Sequence, residues 1–229
     1  GNMYARVKNM DAGCSGDFGS SRTLLELVAG IEALTFSMDG VPFLNSARIA
    51  ADMNVDADLE NSKFTLKENT LELNAIKAAV DGWVAMTDKG MDMDLKLNSN
   101  EIGFKEILSL IPAIYTQDFE GLKTDGQAVL SAFAKGSLEG DSVVPQFNVD
   151  LNVKDAMFQY PSLPAGVSKI NIAANISNAG GDIDATVVKV APFSFVMANT
   201  PFSVSATLNT PISDMQFDVA AKGVLDLGK

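Results

Sequence analysis

The sequence predicts a mainly β protein. Long antiparallel strands form a curved sheet or a two-layer β-groove or sandwich, with one short amphipathic helix near residues 103–111. Three observations predict it. Apolar and polar residues alternate over long stretches, turn-forming residues divide those stretches, and a single segment changes from a period of two to helical spacing.

Taken in order, Gly13–Ser21 is rich in Gly and Ser, so residues 1–21 read as a flexible amino-terminal segment. Cys14 lies in it. The order Asp11-Ala12-Gly13-Cys14 has no apolar stretch before it and has Asp11 where a lipoprotein cleavage box needs Leu, so Cys14 reads as a free thiol. Next, Met53, Val55, Ala57 and Leu59 alternate with Asn54, Asp56, Asp58 and Glu60. Successive strand side chains point to opposite faces, so this run has one apolar and one wet face, as antiparallel sheets do. Leu71 and Leu73 share one parity, while Ile76, Ala78 and Val80 share the other. The switch predicts a β-bulge or a break between two strands. Met91, Met93, Leu95 and Leu97 then alternate with Asp92, Asp94, Lys96 and Asn98.

Phe104, Ile107, Leu108 and Ile111 recur at helical spacing and Pro112 follows, which predicts a helix over Gly103–Ile111. So short a helix cannot hold itself together in water, so its apolar face must dock on the sheet, as a plug over one end of the apolar face. Beyond it, three more runs alternate: Phe147–Val153, Ile170–Ile176 and Phe202–Leu208. Turn signals between runs are Met38-Asp39-Gly40, Glu60-Asn61-Ser62, Lys67-Glu68-Asn69, Asp88-Lys89-Gly90, Glu139-Gly140-Asp141 and Ala179-Gly180-Gly181-Asp182. Asn54–Phe64 and Asn148–Phe158 also resemble each other: Asn-Val-Asp opens each, and a Phe follows ten residues after the Asn. This suggests one β domain over 22–229 built from two repeated modules, about 22–120 and 121–229, joined near the helix and Gly121–Asp125.

Composition narrows the chemistry. The 229 residues include 17 Lys+Arg, 29 Asp+Glu, one Cys and no His, for a formal charge of −12. Without imidazole, Ser-His and Cys-His catalysis and most zinc sites are excluded. One cysteine permits no internal disulfide or thiolate cluster. The acidic balance argues against nucleic acid. The pairs Asp56/Asp58, Asp92/Asp94 and Asp182/Asp184 lack the Gly and distal Glu of a calcium loop and read as solvated strand faces. Gly136-Ser137-Leu138-Glu139-Gly140 has Leu138 where a nucleophile elbow needs Ser, and no Gly-rich loop carries a phosphate-binding Lys. Trp83, the only tryptophan, reads as a sheet-facing filler. The chain therefore reads as a non-enzyme without cofactor or metal. No apolar run reaches the ~18–20 residues of a membrane-spanning helix and no signal peptide is present, which says nothing about compartment; Gly1 before a non-initiating Asn2 reads as the start of an excised domain, with any membrane anchor outside it.

A one-sided sheet must cover its apolar face by a second sheet, by closing into a barrel, or by curving into a groove that holds an apolar ligand. The groove candidates are Met91, Met93, Leu95, Phe147, Val149, Leu151, Ile170, Ile172, Phe202 and Val204. The competing reading is a structural or adhesion-type β-sandwich that binds protein or carbohydrate through its loops.

Several segments resemble the carboxy-terminal region of the AsmA family of bacterial envelope proteins, in a Bacteroidetes-type form. They are Phe104–Pro112, Gly121-Leu122 through Gly136-Ser137-Leu138, and Phe147–Val153, followed by Phe158-Gln159-Tyr160-Pro161-Ser162-Leu163-Pro164, Ile170–Ile176 and Asn199-Thr200-Pro201-Phe202. The resemblance covers about residues 45–229. It implies a periplasmic, mostly β protein, anchored to the inner membrane by an amino-terminal helix that this chain lacks. It further implies a part in outer-membrane assembly or lipid transport, with phospholipid or another acyl-chain ligand and envelope proteins as partners. It carries no catalytic motif.

Overall fold

The structure, a computed structural model, describes residues 3–19, 21–38, 41–108, 121–140, 143–161 and 166–224. These residues form one antiparallel sheet of thirteen strands. The first six are β1 (Met3–Phe18), β2 (Arg22–Met38), β3 (Val41–Asp58), β4 (Lys63–Leu73), β5 (Ile76–Thr87) and β6 (Gly90–Ser99). A short β7 (Ile102–Gly103) leads into helix α1 (Phe104–Leu108). Then come β8 (Lys123–Leu138), β9 (Gln146–Gln159), β10 (Val167–Asn178), a 3-10 turn at Ile183–Ala185, β11 (Val187–Met197), β12 (Thr200–Asn209) and β13 (Gln216–Lys222). Each strand pairs with its neighbour in sequence, except that β6 pairs with β8 and β7 sits beside β8 off the main path.

The registers make one face continuous. Directly opposed residues of an antiparallel pair lie on the same face. Leu151 faces Leu130 and Ala174; Ala174 faces Val190, which faces Ala206, which faces Val219. In the other direction Met93 faces Gly136 and Val84, and Val84 faces Phe64, which faces Ala57. The opposite face carries Asp94 beside Lys135 and Trp83, and Asn148, Asp150 and Asn175 bonded to one another.

Among the described residues β1 and β13 are sheet edges, and α1 is the one helix laid on the apolar face. No second sheet covers that face, so the described residues are an open sheet, not a two-layer sandwich. The solvent-accessible surface shows the consequence: it is 14526 Å², where a compact monomer of 24.2 kDa has about 10,000 Å².

Bulges interrupt the ladders where polar residues take left-handed backbone. Glu68 (φ 56°) is the extra residue of β4, and its N–H donates to Asp81 Oδ1 at 3.1 Å. Asp155 (φ 47°) plays the same part in β9, donating to Asn171 Oδ1 at 3.1 Å. A neighbouring side chain thus satisfies the amide that the ladder loses. Lys67-Glu68-Asn69, expected as a turn, is therefore a bulge inside β4: the same polar residues suit either when one of them must adopt positive φ.

Other expectations change. The parity switch at Asn74–Ile76 is the second of its two expected forms, a break between strands, with Leu73 paired to Ile76 across a tight turn. Within the segment 1–21, expected as a flexible segment, Met3–Phe18 is strand β1, paired to β2 along its length. Small residues hid its alternation of Met10, Ala12, Cys14, Gly16 and Phe18. The two copies of the repeat are not equivalent: Phe64 lies across a hairpin from Asn54, whereas Asn148 and Phe158 share β9. The β6–β8 pairing also carries the sheet across the expected module boundary. Trp83 is on the wet face, opposite Thr65 and Asp94, with Lys63 Nζ 4.3 Å from its ring centre. Of the expected helix Gly103–Ile111, α1 accounts for Phe104–Leu108; Ile111 and Pro112 lie outside the described residues, as do Asp39 and Gly40 of the first turn signal.

Candidate functional site

The only helix among the described residues marks the best-packed part of the sheet. Phe104 and Ile107, three residues apart, present one face of α1, and Leu108 extends it. Five residues form no stable helix alone, so α1 is held by what it covers. It settles where the sheet surface is low: Ala128 of β8 and Ala156 of β9 are 1% and 0% exposed. Gly126 of β8 sits beside them at φ 112°, and a Cβ there would lie 2.4 Å from Ala156 Cα. Only glycine allows the two backbones to approach so closely with that conformation. Phe104, Ile107, Ile102, Ala128, Val153, Ala156, Ile170 and Ile76 make up the buried cluster.

Beside this cluster lies a half-open pocket of about 530 Å³. Its walls are Phe104, Ile107 and Leu108 of α1, Leu151, Val153 and Phe158 of β9, Val167, Ile170 and Ile172 of β10, and Phe193, Phe195 and Met197 of β11. Every one of these side chains is apolar. Phe195 stacks on Phe202 of β12 with ring centres 5.2 Å apart, extending the aromatic wall one strand further. The volume is within the range of pockets that hold small organic ligands, about 300–1,000 Å³. A half-open pocket with only apolar walls suits apolar ligands, and its wall side chains offer no group for proton transfer or nucleophilic attack.

The ten predicted groove residues divide by position. Leu151, Ile170 and Ile172 line the pocket. Phe202 and Val204 border it through their pairing with Phe195 and Phe193. Met91, Met93, Leu95, Phe147 and Val149 occupy the same face nearer the opposite ends of their strands, where Met91 faces Leu138 and Phe147 faces Ala134. Sequence reasoning missed Phe193, Phe195 and Met197. Their alternation with Ser194 and Val196 was present, but the register shift between Val190 and Phe193 separates it from the run before. Phe158 was missed as a wall residue because the Asp155 bulge resets the parity of β9.

The acidic pairs singled out in the sequence lie off the apolar face and have structural partners. Asp92 accepts from Ser137 Oγ at 2.6 Å and Asp94 lies 3.4 Å from Lys135 Nζ. Asp56 takes a two-pronged contact from Arg22, whose hydrogen bond holds the carboxyl below its ordinary pKa. Hydrogen bonds from Asn61 and from Lys77 do the same for Asp58 and Glu72. Asp182 and Asp184 do not act as a pair: Asp182 caps the 3-10 turn, while Asp184 accepts from Ser213 and the Ile212 amide. Among the described residues no three or more His, Cys, Asp or Glu side chains gather into a potential metal site.

Nor is any helix among the described residues long and apolar enough to cross a membrane. No protein-family profile, curated protein or solved structure matches the chain.

Proposed function

We propose that this chain is a non-enzymatic acyl-chain-binding domain of the bacterial envelope, serving lipid transport or outer-membrane assembly from the periplasm and tethered to the inner membrane by a segment outside the sequence. The observation that carries the reading is the wholly apolar pocket beside α1, which continues onto an apolar sheet face left uncovered by the described residues. An acyl chain laid there loses its water contact along its length, at about 0.8 kcal/mol per buried CH₂. The wet face, with most of the carboxylates, keeps such a protein soluble while its other face handles lipid. The envelope setting and the lipid class come from the resemblance to the AsmA family.

Titration with a fluorescent long-chain fatty acid, paired with native mass spectrometry of protein prepared from an envelope fraction, tests the reading. Binding of the probe and co-purified lipid are expected. Ile172→Asp, inside the pocket, should weaken probe binding by about tenfold or more, whereas Ala173→Asp, one residue along on the wet face, should leave it within about twofold. Lipid-free protein that ignores the probe, or equal losses in both variants, would retire the proposal.

A further inference from the structure

The wet face of the central strands is not uniformly charged. Two adjacent rungs cross it from β6 to β10. One runs Asn98, Ser131, Asp150, Asn175 and the other Lys96, Phe133, Asn148, Ser177, each residue opposite the next. Neighbouring strands lie about 4.8 Å apart, so each rung spans about 14 Å. Together they carry one cation, Lys96, and one anion, Asp150, in a chain of charge −12. The next rung is different: its Asp94 and Lys135 form an ion pair at 3.4 Å. Side chains of both rungs, Lys96, Asn98, Ser131, Phe133, Asn148 and Asp150 among them, wall a shallow depression of about 260 Å³.

The polar side of this depression is ordered. Asn148 Nδ2 donates to Asp150, and Asn175 Nδ2 donates to Asn148 Oδ1 at 2.7 Å and to Asp150 Oδ1 at 2.8 Å. Both N–H groups of Asn175 are used, and the three side chains hold one another in place. Capacity is left over: the Asn175 carbonyl oxygen, one N–H of Asn148 and lone pairs on Asp150. Asn175 Oδ1 is at the surface, because among the described residues the one buried side-chain polar atom without a partner is Asn69 Nδ2. The side chains of Lys96, Asn98 and Ser131 have no hydrogen-bond or ion-pair partner among the described residues. Beside these groups the Phe133 ring is 37% exposed.

We propose that this depression binds a saccharide. A sugar hydroxyl donates and accepts at once, and the two rungs offer both kinds of group, fixed before the ligand arrives. A pyranose also has an apolar C–H face, and the flat ring of Phe133 is the partner it needs. Balanced charge distinguishes the site from one for phosphate or nucleic acid, which would gather cations. The rungs are long enough for a short oligosaccharide laid across the strands. The depression is too small to enclose a ligand, so one side of the sugar stays in water. The site lies on the face opposite the apolar pocket and does not rest on the acyl-chain reading.

Calorimetric titration with neutral trisaccharides tests the site, using maltotriose, cellotriose, mannotriose and tri-N-acetylchitotriose, with amide NMR shifts to place the ligand. At least one should bind saturably with a Kd of about 1 mM or tighter. The amides of Asn98, Ser131, Phe133 and Asn148 should shift. Phe133→Ala and Asn98→Ala should each weaken binding by about fivefold or more, while Phe133→Trp, which keeps a flat ring, should retain it. Thr65→Ala, on the wet face of β4, should leave it within about twofold. Circular dichroism confirms that each variant keeps its sheet. No saturable binding of any of these sugars up to about 10 mM overturns the proposal. So does binding that neither Phe133→Ala nor Asn98→Ala weakens, and so does an equal response to glycerol, which has hydroxyls and no ring face.

Discussion

The centre of the sheet and its two edges have the same architecture and opposite packing. Around β8–β10 the apolar face is roofed by α1, and Val153, Ala156 and Ile170 are 4%, 0% and 2% exposed. On β13 the apolar-face residues Phe217 and Val219 are 67% and 49% exposed, although their ladder to β12 is regular over seven residue pairs. Strand pairing satisfies the backbone and does nothing to bury the side chains. A single sheet with one small lid concentrates its hydrophobic stabilisation under that lid and holds the margins mainly by hydrogen bonds.

That contrast can be broken most severely at Gly126. Gly126→Val puts a branched side chain at positive φ against the Ala156 backbone, and should cost about 3 kcal/mol or more in urea unfolding. A smaller effect separates centre from edge directly. Ile107→Ala under α1 should cost about 2–3 kcal/mol, whereas Phe217→Ala on β13 should change stability by no more than about 0.5 kcal/mol. Equal costs at the two sites would mean that the edge is covered in solution.

The smallest expected effect concerns how the β13 margin is held. The carboxylate of Asp184 accepts hydrogen bonds from Ser213 Oγ and from the amides of Ile212 and Ser213, in the loop that leads into β13. These bonds, the Ser213 hydroxyl first, hold its pKa below the ordinary 3.8. A lowered pKa in the folded state means the contribution is present above the unfolded value and is lost as pH falls through the folded one. Amide exchange in β13 should therefore quicken as pH falls below about 4, once the intrinsic pH dependence of exchange is divided out. Asp184→Asn should abolish that extra dependence and leave exchange in β9 unchanged.

Much of the fold was legible because the β period is short and the registers are local. Met91–Leu97 and Phe147–Val153 reveal their faces in seven residues each, and both runs lie within strands as expected. The helix at Phe104 was legible from three spacings. What stayed hidden depends on single residues in unusual backbone. Glu68 and Asp155 look like turn residues, and they bend strands instead of ending them. Strand β1 carries too few bulky residues to declare itself, and β2 supplies its register. The pocket was half legible: Leu151, Ile170 and Ile172 were named, whereas the β11 wall lies past a register shift that a count of alternation does not follow.

By itself the sequence determined that the chain is a one-sided antiparallel β protein with a helical interruption, because alternation and helical spacing are properties of neighbouring residues. It also determined that imidazole chemistry and an internal disulfide are excluded within this sequence, because histidine is absent and cysteine single. Only the tertiary structure decided that, among the described residues, the apolar face stays open and not folded against a second sheet, and that α1 seats over Ala128 and Ala156, leaving an apolar pocket beside it. The physical reason is that burial of a sheet face is settled by which distant strands and helices come to lie upon it. Alternation along one strand states that a face is apolar and carries no information about what covers it.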